Sequence, residues 1–255
     1  MPDLNHLFTG GGLAPSVLAA SLLAGLVRGY TGFGAAMVFM PIASTSLGPK
    51  AAIAVLWLVD AVMQLPMVGK ARKLAGYRDI ALLLPGALVG APVGALILSQ
   101  SDPLALRWAL CVLILCAVAV MASGWRYEGE PARRATLGIG LVSGLFSGAV
   151  SLGGMPIALF WLAGRGSNAA VRASIVMLFL FTGVITGLSY AAVGAFTAEV
   201  WPAALVALPL YGAGLLAGSA LFERAGNRAF RPVAFAVILF AAISSLPLLD
   251  PWLRG

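Results

Sequence analysis

RGYTGFGAA, Arg28 to Ala36, interrupts an apolar run in which a membrane helix would ordinarily continue. Three glycines fall within six residues, and an arginine stands at the edge. A second stretch, SGAVSLGGMP from Ser147 to Pro156, echoes it. Whether these are flaws in two helices or built turns decides the fold.

The surrounding chain is a membrane chain. Of 255 residues, 61% are hydrophobic and only 10% charged, against about a quarter charged in soluble domains. Apolar segments run at 14–47, 51–69, 79–99, 104–123, 135–163, 169–193, 200–222 and 230–249. Each reaches the length needed to cross roughly 30 Å of hydrocarbon. The net charge of +7 does not point to nucleic acid, because the basic residues sit in short loops between apolar runs, where they set topology. Cys111 and Cys116 share one apolar segment and point in different directions on a helix, so they are read as packing residues. His6 is the one histidine, which leaves no material for a metal site, and no cofactor is expected. No cleaved signal peptide is expected.

The echo extends along the chain as a duplication with a period of about 120 residues. GLVRGYTGFGAA from Gly25 aligns with GLFSGAVSLGGM from Gly144, as G-L-x-x-G-x-x-x-[FL]-G. KAAIAV at Lys50 matches NAAVRA at Asn168. PGALVGAPVG at Pro85 matches PLYGAGLLAG at Pro209, as P-x4-G-x3-G, and LRWALCVLIL at Leu106 matches FRPVAFAVIL at Phe230. The N-terminal repeat is thus 1–125, the linker 126–134 and the C-terminal repeat 135–255.

Charge decides the topology. If all eight segments cross, the basic loops divide evenly between the two sides. If 14–47 and 135–163 are re-entrant, twelve of the sixteen Lys/Arg face the cytoplasm; only Lys50, Arg107 and Arg254 lie outside, with Arg28 in the membrane. About ten helical residues cover the roughly 15 Å to mid-membrane, and residues 14–27, 35–47, 135–147 and 154–163 supply such arms. The expected fold is an all-α polytopic membrane protein of two inverted repeats. Each repeat is a re-entrant broken-helix hairpin plus three transmembrane helices, in a cell inner membrane with both termini outside. Inverted repeats of this sort hold a substrate at the midplane between broken helices.

Non-helical backbone at membrane depth persists only where protein or a watery cavity satisfies it. Both hairpin tips should therefore line one site: Arg28, Gly29, Tyr30, Thr31, Gly32, Phe33 and Gly34 from the first, and Ser147, Gly148, Val150, Ser151, Leu152, Gly153 and Gly154 from the second. A returning half-helix presents free N–H groups and the positive end of its dipole, which suits an anion. Thr31 and Ser151 would add hydroxyl donors, Arg28 the charge, and Tyr30 and Phe33 the cavity wall or gate. Gly90, Gly94, Gly214 and Gly218 suit close helix packing equally well.

Asp60 sits in mid-segment, in WLVDAVMQLP, with Gln64 one turn later. An intramembrane carboxylate is costly and functional or paired. An ion pair with Arg28, a proton-coupling site and a structural hydrogen bond all remain open here. Asn168 and Arg172 suit a cytoplasmic vestibule or simple capping. An intramembrane serine protease would need a base beside the serine, and no histidine or lysine lies in a span.

The paired G-L-x-x-G-x-x-x-[FL]-G stretches, each followed by an alanine-pair helix start, resemble the TauE/SafE sulfite exporter family of membrane anion transporters. The resemblance covers essentially the whole chain. It implies a transporter rather than an enzyme, exporting a small sulfur-containing anion such as sulfite or sulfoacetate, held between the tips. Neither tip carries a cysteine, unlike some thiosulfate-importing relatives, and the second tip has no arginine to match Arg28. An inside-negative potential favours anion exit by about 2.3 kcal/mol per charge per 100 mV, so export needs no coupling ion. The alternatives are an anion channel using the same tips, a proton-coupled importer of a sulfur oxyanion, or a cation carrier built on Asp60. Expected partners are the anion and the bilayer; a homodimer is compatible with the sequence.

Overall fold

The computed structural model describes residues 15–102, 132–163 and 167–225, together with Trp108, Val112 and Ala236. The segments expected at 104–123 and 230–249, most of the 126–134 linker, His6, Cys111 and Cys116 lie outside the described residues. Every described element is a helix: α1 (Pro15–Thr31), α2 (Ala35–Leu47), α3 (Pro49–Met63), α4 (Leu65–Ala71), α5 (Tyr77–Gln100), α6 (Arg133–Val150), α7 (Gly154–Ala163), α8 (Asn168–Ala192) and α9 (Val200–Ala225).

Among the described residues, α5, α8 and α9 are long and apolar enough to cross a membrane. At 1.5 Å per residue, their 24 to 26 residues reach about 36–39 Å. Outward-facing Val89, Leu96, Leu141, Val184, Leu188 and Leu205 are exposed, as side chains meeting lipid tails would be. The segment expected as one span at 51–69 is instead two helices, α3 and α4, bent by 50°. Pro66 explains the break: it has no N–H to return to the carbonyl four residues back. The Gln64 N–H still reaches the Asp60 carbonyl at 2.9 Å, so the ladder fails just past it.

The two glycine-rich stretches do break their helices, but later than the residue spacing suggests. The first arm continues to Thr31 and the second to Val150, giving about 26 and 27 Å rather than roughly 15 Å. Gly29 and Gly148 lie inside these helices, because both are committed to helix packing. The chain turns at Gly32 and Gly34, with φ of +82° and +86°, and at Ser151, with φ of +56°. The return helices are short: 13 residues in α2 and 10 in α7.

Two glycine seams hold the bundle. A Cβ on Gly25 or Gly29 of α1 would lie 2.1 Å from a backbone oxygen of α9, and one on Gly214 or Gly218 of α9 equally close to α1. Likewise, a Cβ on Gly90 or Gly94 of α5 would lie 2.2 or 2.1 Å from α6 oxygens, and one on Gly144 or Gly148 of α6 would lie 2.4 or 2.1 Å from α5. Backbones this close are possible only without side chains between them. Lipid tails give no hydrophobic force between helices, so such packing is what joins them.

Candidate functional site

The seams carry both tips to one place. A cavity of about 70 Å³ is walled by Arg28, Gly34 and the start of α2 on one side and by Ser147, Ser151, Leu152 and Gly154 on the other. A water needs only roughly 10–15 Å³ by this measure, so a small oxyanion is a fitting size. A Cβ on Gly154 would come within 3.0 Å of the Phe33 Cβ and 2.8 Å of the Phe179 ring, so the tips meet almost backbone to side chain. The α3–α4 break adds Asp60 and Gln64, and α8 adds Phe179, Thr182, Gly183 and Thr186.

Arg28 is buried, and so needs a partner. Its Nε donates to Asp60 Oδ1 at 2.8 Å and its Nη2 to Oδ2 at 2.9 Å, a bidentate pair. The hydroxyl of Tyr211 donates to Oδ1 at 2.6 Å. Arg28 Nη1 donates to the Gly32 carbonyl, and the guanidinium stacks on Phe179 with Cζ 4.6 Å from the ring centre. The ion pair with Arg28, one of the three readings open for Asp60, is formed. Arg28 thereby also closes the carbonyl end of α1, where a cation is favoured. The Asp60 side chain keeps a quarter of its surface exposed, whereas Arg28 keeps 3%. The pair is neutral as a unit, so the cavity has no unbalanced arginine.

Positive character comes from the backbone. α2 starts at Ala35 with Gly34 as its N-cap and no side-chain cap, and Gly34, Ala35 and Ala36 line the cavity. Gly154 and Met155 at the start of α7 line it from the other tip. A helix start carries roughly half a positive charge on its free N–H groups; these are Ala35 and Ala36 in α2, but in α7 the Met155 N–H is taken by the Leu152 carbonyl at 3.1 Å and Pro156 has none, which leaves Gly154.

Hydroxyls crowd the second tip. Ser147 Oγ lies 3.5 Å from Thr186 Oγ1, and Ser151 Oγ 3.3 Å from the Tyr190 hydroxyl. Tyr190 donates to the Ser147 carbonyl at 2.7 Å, satisfying the end of α6. The Gly153 carbonyl accepts from Ser143 at 2.6 Å. Gln64 is buried, and its Oε1 has no hydrogen-bond partner.

Other expected residues lie elsewhere. Thr31 is fully buried, with its hydroxyl shared between the Val27 and Phe33 carbonyls, at 2.8 and 2.6 Å, so it stabilises the turn and does not face the cavity. Gly29 and Gly148 are in the seams, and Tyr30 meets Phe222 edge-on at 5.8 Å. Gly32, Phe33, Val150 and Gly153 shape the tips without lining the cavity. Arg172 reaches the first tip from behind: its Nη2 donates to the Gly29 carbonyl and to Ser219 Oγ, the latter at 3.1 Å. Asn168 opens α8, whose N-cap Ser167 accepts from the Ala170 N–H.

Sequence reasoning missed the α8 wall. Phe179, Thr182, Gly183 and Thr186, with Tyr190, recur at helical spacing, a polar and aromatic stripe along an apolar span. It also missed Trp57, whose ring fills the notch left by Gly187 and whose Nε1 donates to the Gly183 carbonyl at 3.0 Å.

Residues 17–245 match the family model of the sulfite exporter TauE/SafE. The chain belongs to the TauE/SafE family. The chain is also similar to the probable sulfite/organosulfonate exporter TauE of Cupriavidus necator, with 26% identity over 235 residues that cover 87% of this chain and 90% of the relative. No solved structure matches. A TauE/SafE chain is a membrane transporter, in keeping with its several apolar helices. In this member of the family, both tips and the Arg28–Asp60 pair lie around a single cavity.

Proposed function

We propose that this TauE/SafE chain exports a small sulfur-containing anion, sulfite or an organosulfonate, across the inner membrane by alternating access. The observation that carries the reading is the shared cavity, into which a helix start from each tip converges with hydroxyls of the second tip and of α8. The name of the Cupriavidus necator relative supports the substrate class. The anionic head is held by N–H groups at the starts of α2 and α7, with Ser147 donating; Ser151, which here gives its proton to the Tyr190 hydroxyl, donates to the anion on turning away from that partner. Arg28, neutralised by Asp60, orients the first tip and contributes its remaining N–H groups.

The inverted-repeat arrangement fits the crossed seams, in which α1 pairs with α9 and α6 with α5. The repeat alignment relates these two pairs to each other. The ten-residue α7 covers about 15 Å, half the hydrocarbon thickness, as a re-entrant return arm should. Termini outside and basic loops inside complete the arrangement.

The test is counterflow in proteoliposomes loaded with sulfite, sulfoacetate, isethionate or taurine. Saturable, trans-stimulated flux of sulfite or a sulfonate is expected. Unitary currents would move the protein to the channels, and flux of none of the four would sink the export reading.

A further inference from the structure

We propose a second anion-binding site behind the first hairpin tip, where Lys70 and Arg172 receive the same small oxyanion before it passes between the tips. The inference rests on the export reading for its ligand, but not for its geometry.

A separate cavity of about 190 Å³ lies between α4, the first turns of α8 and the end of α9. Its wall includes Met67, Lys70, Arg172, Val176, Phe222 and Glu223. It shares no lining residue with the cavity between the tips. Gly32 touches the arginine of each: its carbonyl accepts from Arg28, and a Cβ built on it would lie 3.0 Å from Arg172 Cγ.

Arg172 is held in place but its donors are not used up. Phe222 lies under the guanidinium at 4.6 Å, Ser219 and the Gly29 carbonyl take Nη2, and the buried Nε–H has no partner. A buried donor without an acceptor favours a ligand that brings one. Lys70 stands across the cavity, with its Nζ 2.6 Å from Glu223 Oε1. Both members of that pair are exposed, at 83% and 56% of their side-chain surface. Such pairs contribute little to stability, so an incoming anion can replace the carboxylate on Lys70. Glu223 thus marks where an anionic oxygen sits and competes for the place. Both Lys70 and Glu223 belong to the face that carries the basic loops, the cytoplasmic side in the proposed orientation, from which an exported anion arrives.

The experiment uses the full chain in proteoliposomes with sulfite as the probe, reading KM and kcat for efflux, with equilibrium sulfite binding to purified protein in parallel. Lys70→Met should raise KM roughly five-fold, mostly without change in kcat, and Glu223→Gln should lower it; both shifts should shrink at high salt, as screening requires. KM unmoved by both substitutions, or moved in the same direction by both, overturns the site. If the parent protein transports none of the four anions, yet its sulfite binding weakens in Lys70→Met and tightens in Glu223→Gln, the export reading fails and the site stands.

Discussion

Gly32 and Ser151 occupy equivalent positions in the two repeated stretches, and both adopt left-handed backbone, at φ +82° and +56°. Glycine does this freely, whereas a serine there is strained by about 1 kcal/mol. The second tip thus tolerates strain that the first avoids, and the serine brings a hydroxyl to the cavity.

Ser151→Gly should therefore raise the melting temperature in detergent slightly while slowing sulfite efflux. Gly32→Ser should do harm on both counts, since its Cβ also presses on Arg172. An unimpaired Ser151→Gly transporter would remove the hydroxyl from the site.

The Arg28–Asp60 pair predicts an asymmetry between single and double replacement. Asp60→Asn or Arg28→Met breaks a buried pair and should cost on the order of 3 kcal/mol, the lower end because Asp60 is partly exposed. Arg28→Met combined with Asp60→Leu should recover most of that stability without recovering transport. Thermal melts and efflux assays on the three variants read both outcomes.

Gly144→Ala should lower the yield of folded protein sharply, because its Cβ would lie 2.4 Å from the Ala87 carbonyl oxygen. Gly138→Ala, on the same helix but with nothing within 4 Å, should instead stabilise by roughly 0.5–1 kcal/mol. Fluorescence-detected size exclusion after a heating series distinguishes them.

Gln64→Leu removes a buried amide oxygen that has no partner. Such a group costs about 1–3 kcal/mol, so the variant should melt at the same temperature or higher. Its KM for sulfite should rise several-fold if the amide meets substrate. Unchanged KM would assign Gln64 to the helix break alone.

The tips were legible because glycine spacing reports backbone directly: positions needing left-handed φ or close approach admit little else. Asp60 was legible as a carboxylate that had to be functional or paired, with an ion pair to Arg28 one reading among three, whereas Arg28 was read as a charge for the anion. Hairpin arms were placed too short because Gly29 and Gly148 look like turn residues in one dimension; only the partner helix shows them to be seam. Thr31 failed for a related reason. A hydroxyl near a turn can serve the turn or the ligand, and the Val27 and Phe33 carbonyls are nearer. The α8 stripe and Tyr211 come from the other half of the chain, and local pattern does not say which helix will face a given tip. Pro66 was visible throughout, yet its effect on an apolar run depends on whether neighbours satisfy the freed carbonyls.

The crossed seams bear on how the molecule is made. α1 leaves the ribosome well before α9, yet its glycine face fits α9: Gly29 and the Ser219 that donates to its carbonyl stand 190 residues apart. Until the last described helix is inserted, the first has a bare notch and a carbonyl end with no Ser219 to satisfy it. Expressed alone, the N-terminal half would lack that mate and should be cleared by membrane quality control. Co-expression of the two halves as separate chains should rescue both, because the α1–α9 and α5–α6 seams join them by packing.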